Sequence, residues 1–192
     1  MVITVFKNSL ERKDNNNNQF IYKNRGMDLE ELLNSSNNYY LDIDKAVIYK
    51  KPTPIGVVKV SYQGNHKIIN KGYFKEQSTL DYNGLYKGKY IDFEAKVTHN
   101  KTSFPLNNIH PHQIAHMKKV IKHGGICFLV IMMNEIVYLL PGVNFVQYVE
   151  TTTRKSIPYE FIKNNAYEIK YGINPVLDYL SVVEKIYFRG EF

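Results

Sequence analysis

The sequence predicts an α/β domain whose mixed β-sheet is flanked by helices on both faces. Three observations carry this. Residues 126–133 are an unbroken apolar run between Gly124-Gly125 and Asn134, as expected of a strand buried on both faces. Apolar positions recur at helical spacing ahead of it (Leu29, Leu32, Leu33, then Ile114, Met117, Ile121) and after it (Val176, Leu180, Val183, Ile186). Other stretches alternate with a period of two, so helices fall before, between and after strands.

A chain of 192 residues is long enough for one domain that buries roughly 70% of its unfolded surface. Hydrophobic and charged contents of 44% and 22% are globular values. A net charge of +7 and a pI near 9.2 suit a polyanionic partner, although solubility alone also accounts for a basic surface. The single cysteine, Cys127, lies in an apolar run and has no internal disulfide partner, so a reducing, cytoplasmic setting is expected. Residues 1–6 are too short an apolar run for a signal peptide. No stretch approaches the ~20 apolar residues of a membrane helix, so no membrane partner is expected.

Residues 1–23 carry four successive asparagines among Lys and Arg and read as a mobile basic arm; residues 24–192 read as the single domain. A helix opens near Asp28, with Glu30 and Glu31 in its first turn, where the dipole favours acids and where either carboxylate can face a site as readily as solvent. Residues 46–49 read as a strand, closed by Lys50-Lys51-Pro52-Thr53-Pro54, whose prolines cannot join a ladder and whose lysines suit phosphate. Residues 57–74 follow as two extended arms joined by Gln63-Gly64-Asn65-His66 and studded with Lys59, Lys67 and Lys71, with Lys75 just beyond, a segment able to project from the body as a basic hairpin. An ordinary surface hairpin has the same pattern.

The next stretch, 79–96, holds the chemistry. Asn83-Gly84 and Gly88 tolerate positive φ between runs rich in Tyr, Ile and Phe, which predicts two short strands joined by a turn. In the second, Ile91, Phe93, Ala95 and Val97 are expected to face the core, leaving Tyr90, Asp92, Glu94 and Lys96 on the opposite face. Thr79 and Asp81 share one face of the first. Asp81, Glu94 and Lys96 can then converge. Two carboxylates offer the hard oxygen donors that Mg²⁺ accepts, Mn²⁺ being a possible substitute, and a lysine beside them can orient water or offset charge on phosphorus. Taken alone, Glu-x-Lys is an ordinary charge pair on a solvated strand.

Residues 98–108 read as a polar loop. Pro111 then opens a helix to about Lys122 that Gly124-Gly125 ends, with His112 and Gln113 in its first turn. His112 and His116 stand at the i, i+4 spacing of zinc proteases, but Gln113 occupies the place of the general-base glutamate, and an amide cannot take a proton from water. Residues 135–140 are expected to pair with the strand at 126–133. A basic loop at Arg154-Lys155-Ser156, a short helix after Pro158 and a last helix over about 175–188 complete the chain.

Several of these strings resemble the RecU family of Holliday-junction resolvases: Asn24-Arg25-Gly26-Met27, Lys50-Lys51-Pro52-Thr53-Pro54, Asp81-Tyr82-Asn83-Gly84, Lys89-Tyr90-Ile91-Asp92-Phe93-Glu94-Ala95-Lys96, Lys101-Thr102-Ser103-Phe104-Pro105-Leu106, Gly124-Gly125-Ile126-Cys127-Phe128 and Arg154-Lys155-Ser156-Ile157-Pro158. The resemblance implies a restriction-endonuclease-like fold and a homodimeric, Mg²⁺-dependent endonuclease that cuts four-way DNA junctions in recombinational repair. It implies metal ligands at Thr79, Asp81, Glu94 and Gln113, with Lys96 stabilising the transition state. A protruding stalk and modulation of the RecA recombinase are implied as well. The wider superfamily often has Pro before the first Asp; here Leu80 stands.

DNA contacts are expected from Arg25, Lys50, Lys51, Lys59, Lys67, Lys71 and Lys75. Two other readings compete with a resolvase: a restriction-like nuclease acting on ordinary duplex, and a non-catalytic junction-binding or RecA-regulating protein. The acids and lysine at Asp81, Glu94 and Lys96 count against the second.

Overall fold

The computed structural model describes residues 28–75 and 79–188. The basic arm at 1–23, and Arg25 with its motif, lie outside the described residues.

Helix α1 (Leu29–Asp42) opens with a capping box, in which the Asp28 carboxylate accepts from the Glu31 N–H and the Glu31 carboxylate from the Asp28 N–H. Six strands then form one mixed sheet in the order β1 (Val47–Lys50), β4 (Tyr82–Tyr86), β5 (Lys89–Thr98), β7 (Ile126–Met133), β8 (Ile136–Pro141) and β10 (Tyr167–Ile169). All neighbours are antiparallel except β5 and β7, which run parallel because helix α2 (Pro111–Lys122) lies on the crossover between them. Helices α3 (Gly142–Thr151), α4 (Tyr159–Asn165) and α5 (Tyr179–Tyr187) follow. Two further pairs, β2 (Ile55–Gln63) with β3 (His66–Phe74) and β6 (Ser103–Pro105) with β9 (Ser156–Pro158), stand apart from the sheet.

Strand β7 shows why both faces are covered. Ile126, Phe128 and Val130 pack with α1 and α5, whereas Cys127, Leu129 and Ile131 pack with residues of α2, α3 and α4. On the first face Phe93 is stacked between Tyr82 and Phe128, with ring centroids 4.8 and 4.7 Å apart, which locks three adjacent strands together. By the period of two, Asp92 and Glu94 must point to the α2 face. Both are fully buried there.

The stalk is as expected. Among the described residues, strands β2 and β3 pair only with each other; they turn at Gly64 (φ +59°), and every residue of β3 is exposed.

Several expectations need correction. Asn83-Gly84 is not a turn: both lie within β4, and Gly84 is required because a Cβ there would come within 2.0 Å of the Val47 carbonyl oxygen. The turn is Lys87-Gly88, both at positive φ. Thr79 and Asp81 precede β4 rather than lie in it. Val97 is 42% exposed, because β5 runs out beside the N-terminus of α1 into an open cleft. The loop at 98–108 contains β6, whose buried Phe104 pairs with Ile157, a partner too distant in sequence to anticipate. Helix α3 has no counterpart in the expectations, its Val143, Phe145, Val146 and Val149 giving no strong helical signal after Pro141. The last helix starts at Tyr179 rather than 175, with Asp178 capping the Ser181 N–H.

Candidate active site

Asp81, just ahead of β4, and Glu94, on β5, are held together by two side-chain bonds to backbone N–H groups. The Asp81 N–H donates to Glu94 Oε2 at 3.1 Å, and the Ala95 N–H donates to Asp81 Oδ2 at 3.3 Å. Lys96 Nζ lies 2.5 Å from Glu94 Oε1 and 4.0 Å from Asp81 Oδ2, so one ammonium serves two carboxylates. The convergence expected of these three residues is present.

Electrostatically the site lacks positive charge. Burial, and then the Asp81 charge, push the Glu94 carboxyl up to about 7, against lowering contributions from Lys96 and Gln113. Glu94 Oε1 is buried, and the Lys96 ammonium reaches it as an ion-pair partner. A divalent cation fits this donor set. Among the described residues no three His, Cys, Asp or Glu side chains gather as ligands, and the charged oxygen donors at this point are the two carboxylates of Asp81 and Glu94.

Gln113 lies beside the carboxylate pair. It is buried in the first turn of α2, where its Oε1 accepts from the His110 N–H at 2.9 Å and its amide faces Glu94. Thr79 is half-buried in the bend entering Asp81. Of the two acids at the start of α1, Glu30 lines the cleft beside Asp81 and pairs with Lys50, whereas Glu31 is used in the helix cap. That cleft holds about 320 Å³.

The expected DNA-binding lysines divide. Lys59, Lys67 and Lys71 are exposed on the stalk, and Lys75 is exposed at its base. Lys59 and Lys71 are cross-strand partners at a β-bulge, a like-charge contact that an anion would relieve. Lys51 departs from expectation: its ammonium binds both oxygens of buried Asp92, at 3.0 and 3.1 Å, rather than standing free for phosphate. His116 Nε2, one half of the zinc-like pair, also lies 2.7 Å from Asp92 Oδ2. Asp92 had no role in the sequence reading; its position on the Glu94 face was the one available signal.

Comparison with known proteins agrees with the motifs. The family model described as Recombination protein U matches residues 24–185. The Holliday junction resolvase RecU of Geobacillus sp. (strain WCH70) is 52% identical over 174 residues, 87% of this chain and 86% of its own. That of Bacillus subtilis (strain 168) is 47% identical over 186 residues, 95% of this chain and 90% of its own. Among solved structures, the Holliday junction resolvase Hjc of Archaeoglobus fulgidus covers 68% of this chain and 90% of its own with 9% identity and a TM-score of 0.37, too distant a likeness to argue from.

Proposed function

The chain belongs to the Recombination protein U family, and on that premise we propose that it is a Holliday junction resolvase, hydrolysing phosphodiesters of four-way DNA with Mg²⁺ held by Asp81 and Glu94. The observation that carries this reading is a fully buried carboxylate, Glu94, set against the partly exposed Asp81 with a single ammonium shared between them. Bound there, a divalent cation supplies Lewis-acid polarisation of the phosphate and acidifies water.

The residues supply the rest. Glu94 binds as the carboxylate and is kept close to Asp81 by the backbone bonds between them. Thr79 and, once its amide turns its oxygen from the His110 N–H toward the ion, Gln113 complete the donor set as neutral oxygens. Lys96, freed from full neutralisation of the acids, orients the attacking water and offsets charge developing on phosphorus. Strand β5 holds Glu94 and Lys96 rigidly because the Phe93 stack fixes it from behind.

Residues 24–192 form the nuclease domain in this proposal, with 57–74 as the stalk and 1–23 as a basic arm. Resolution into two duplexes requires incisions in two strands of like polarity, which a two-fold homodimer supplies with one site per subunit. Action in the cytoplasm and modulation of the RecA recombinase, implied by the family resemblance, belong to the same proposal. No helix among the described residues is long and apolar enough to cross a membrane.

The test compares cleavage of a four-way junction with cleavage of linear duplex of matching sequence in Mg²⁺. Paired cuts confined to the junction support the reading; equal cutting of duplex points instead to a general restriction-like nuclease.

A further inference from the structure

Asp92 is fully buried, and a buried carboxylate is costly unless its oxygens are well satisfied. Here they are. Lys51 Nζ binds both oxygens, the Tyr90 hydroxyl donates to Oδ2 at 2.9 Å, and His116 Nε2 lies 2.7 Å from the same oxygen. An isolated structural ion pair would tie two elements. This one ties three, and each carries or touches a proposed metal ligand. Asp92 shares the strand and face of Glu94, while His116 lies three residues beyond Gln113 on α2. Lys51, just past β1, is tethered twice: its side chain to Asp92, and its main-chain N–H to the Asp81 carbonyl at 2.8 Å.

We infer that Asp92 is a positioning residue for the metal site, fixing Asp81 through Lys51 and the Gln113 helix through His116 relative to Glu94. This rests on the metal-nuclease reading above. Asp92 itself touches neither the substrate nor the ion. Its ammonium and imidazole partners hold the two carboxylates and the glutamine at a spacing that their mutual repulsion would otherwise open. It also accounts for a histidine at zinc-like spacing that serves no zinc site, and for a lysine of the Lys50-Lys51 pair that faces inward.

The decisive variant is Lys51→Met, because positioning and simple charge predict opposite signs. Removing a nearby positive charge on its own tightens cation binding, whereas loss of the tether loosens it. Uptake of Mn²⁺ alone, read from the electron paramagnetic resonance signal of the free ion, should weaken about tenfold or more in Lys51→Met, the scale seen when supporting partners of metal ligands are removed. Lys51→Arg, which can still bridge the carboxylate, should recover most of it. Asp92→Asn should weaken uptake likewise, with thermal unfolding of the metal-free proteins confirming that each is folded at the titration temperature. Uptake by folded Lys51→Met as tight as wild type, or tighter, overturns the inference while leaving the metal reading intact. Absence of Mn²⁺ uptake by the wild-type protein overturns both.

Discussion

Asp81 and Glu94 hold each other in place: Glu94 Oε2 accepts the Asp81 main-chain N–H at 3.1 Å, while Asp81 Oδ2 accepts the N–H of Ala95, the residue following Glu94, at 3.3 Å. Two acids that repel are thereby kept together by backbone donors that the protein cannot rotate away. The cost falls on Glu94, the fully buried member.

That cost has a measurable sign. The Glu94 carboxyl is held near 7 in the folded protein against 4.5 in an ordinary environment, so between those pH values the folded state binds more proton than the unfolded. Stability of the metal-free protein should therefore fall as pH rises through this window and level off above about 7. Glu94→Gln should flatten the dependence and stabilise the metal-free protein at pH 8 by on the order of 1–3 kcal/mol. Urea unfolding in chelator at pH 5 and pH 8 measures this. A Glu94→Gln protein less stable than wild type at pH 8 would remove the strain from the site. By the same shift, metal uptake should strengthen as pH is raised through 7.

The stalk should discriminate between substrates. With β2 and β3 paired to each other and apart from the six-stranded sheet, and Lys59, Lys67 and Lys71 exposed, shortening the tip at Gly64-Asn65 leaves that sheet untouched. Junction affinity should drop by about tenfold with a smaller loss on duplex. Removing all three lysines should lower the slope of log affinity against log salt by about 3. Equal losses on both substrates would reduce the stalk to a general basic surface.

Phe93 links fold to chemistry, because it stands between Tyr82 and Phe128 immediately before Glu94. Phe93→Ala should cost about 3–5 kcal/mol of stability, by the measured range for buried aromatic truncation. Leu85→Ala, on an exposed position of the neighbouring strand, should cost far less. Chemical denaturation of both variants checks the difference.

What was legible in the sequence was local. The apolar run at 126–133, the Pro111 start of α2 and the stalk arms each follow from neighbours within a few residues, and the motif spacing brought Asp81, Glu94 and Lys96 together correctly. What was not legible depended on distant partners. Gly84 reads as a turn residue until β1 is laid against it, and Phe104 reads as loop until Ile157 pairs with it. Lys51 reads as a phosphate ligand until buried Asp92 is seen beneath it, and nothing local distinguishes Asp92 from a solvated strand residue. Thr79 and Gln113 entered through family resemblance alone, since spacing gives no reason to choose a threonine or an amide.

The most direct measurement is single-turnover cleavage of a four-way junction in Mg²⁺ by wild type and by Asp81→Asn, with junction binding followed in the same samples. Asp81→Asn keeps the size of the side chain and the main-chain bond to Glu94 while removing a ligand charge. The expected result is cleavage slower by at least about a hundredfold, the scale of losing one electrostatic stabiliser of a transition state, with binding within a few-fold of wild type. Near-normal cleavage by Asp81→Asn would contradict the assignment of the active site.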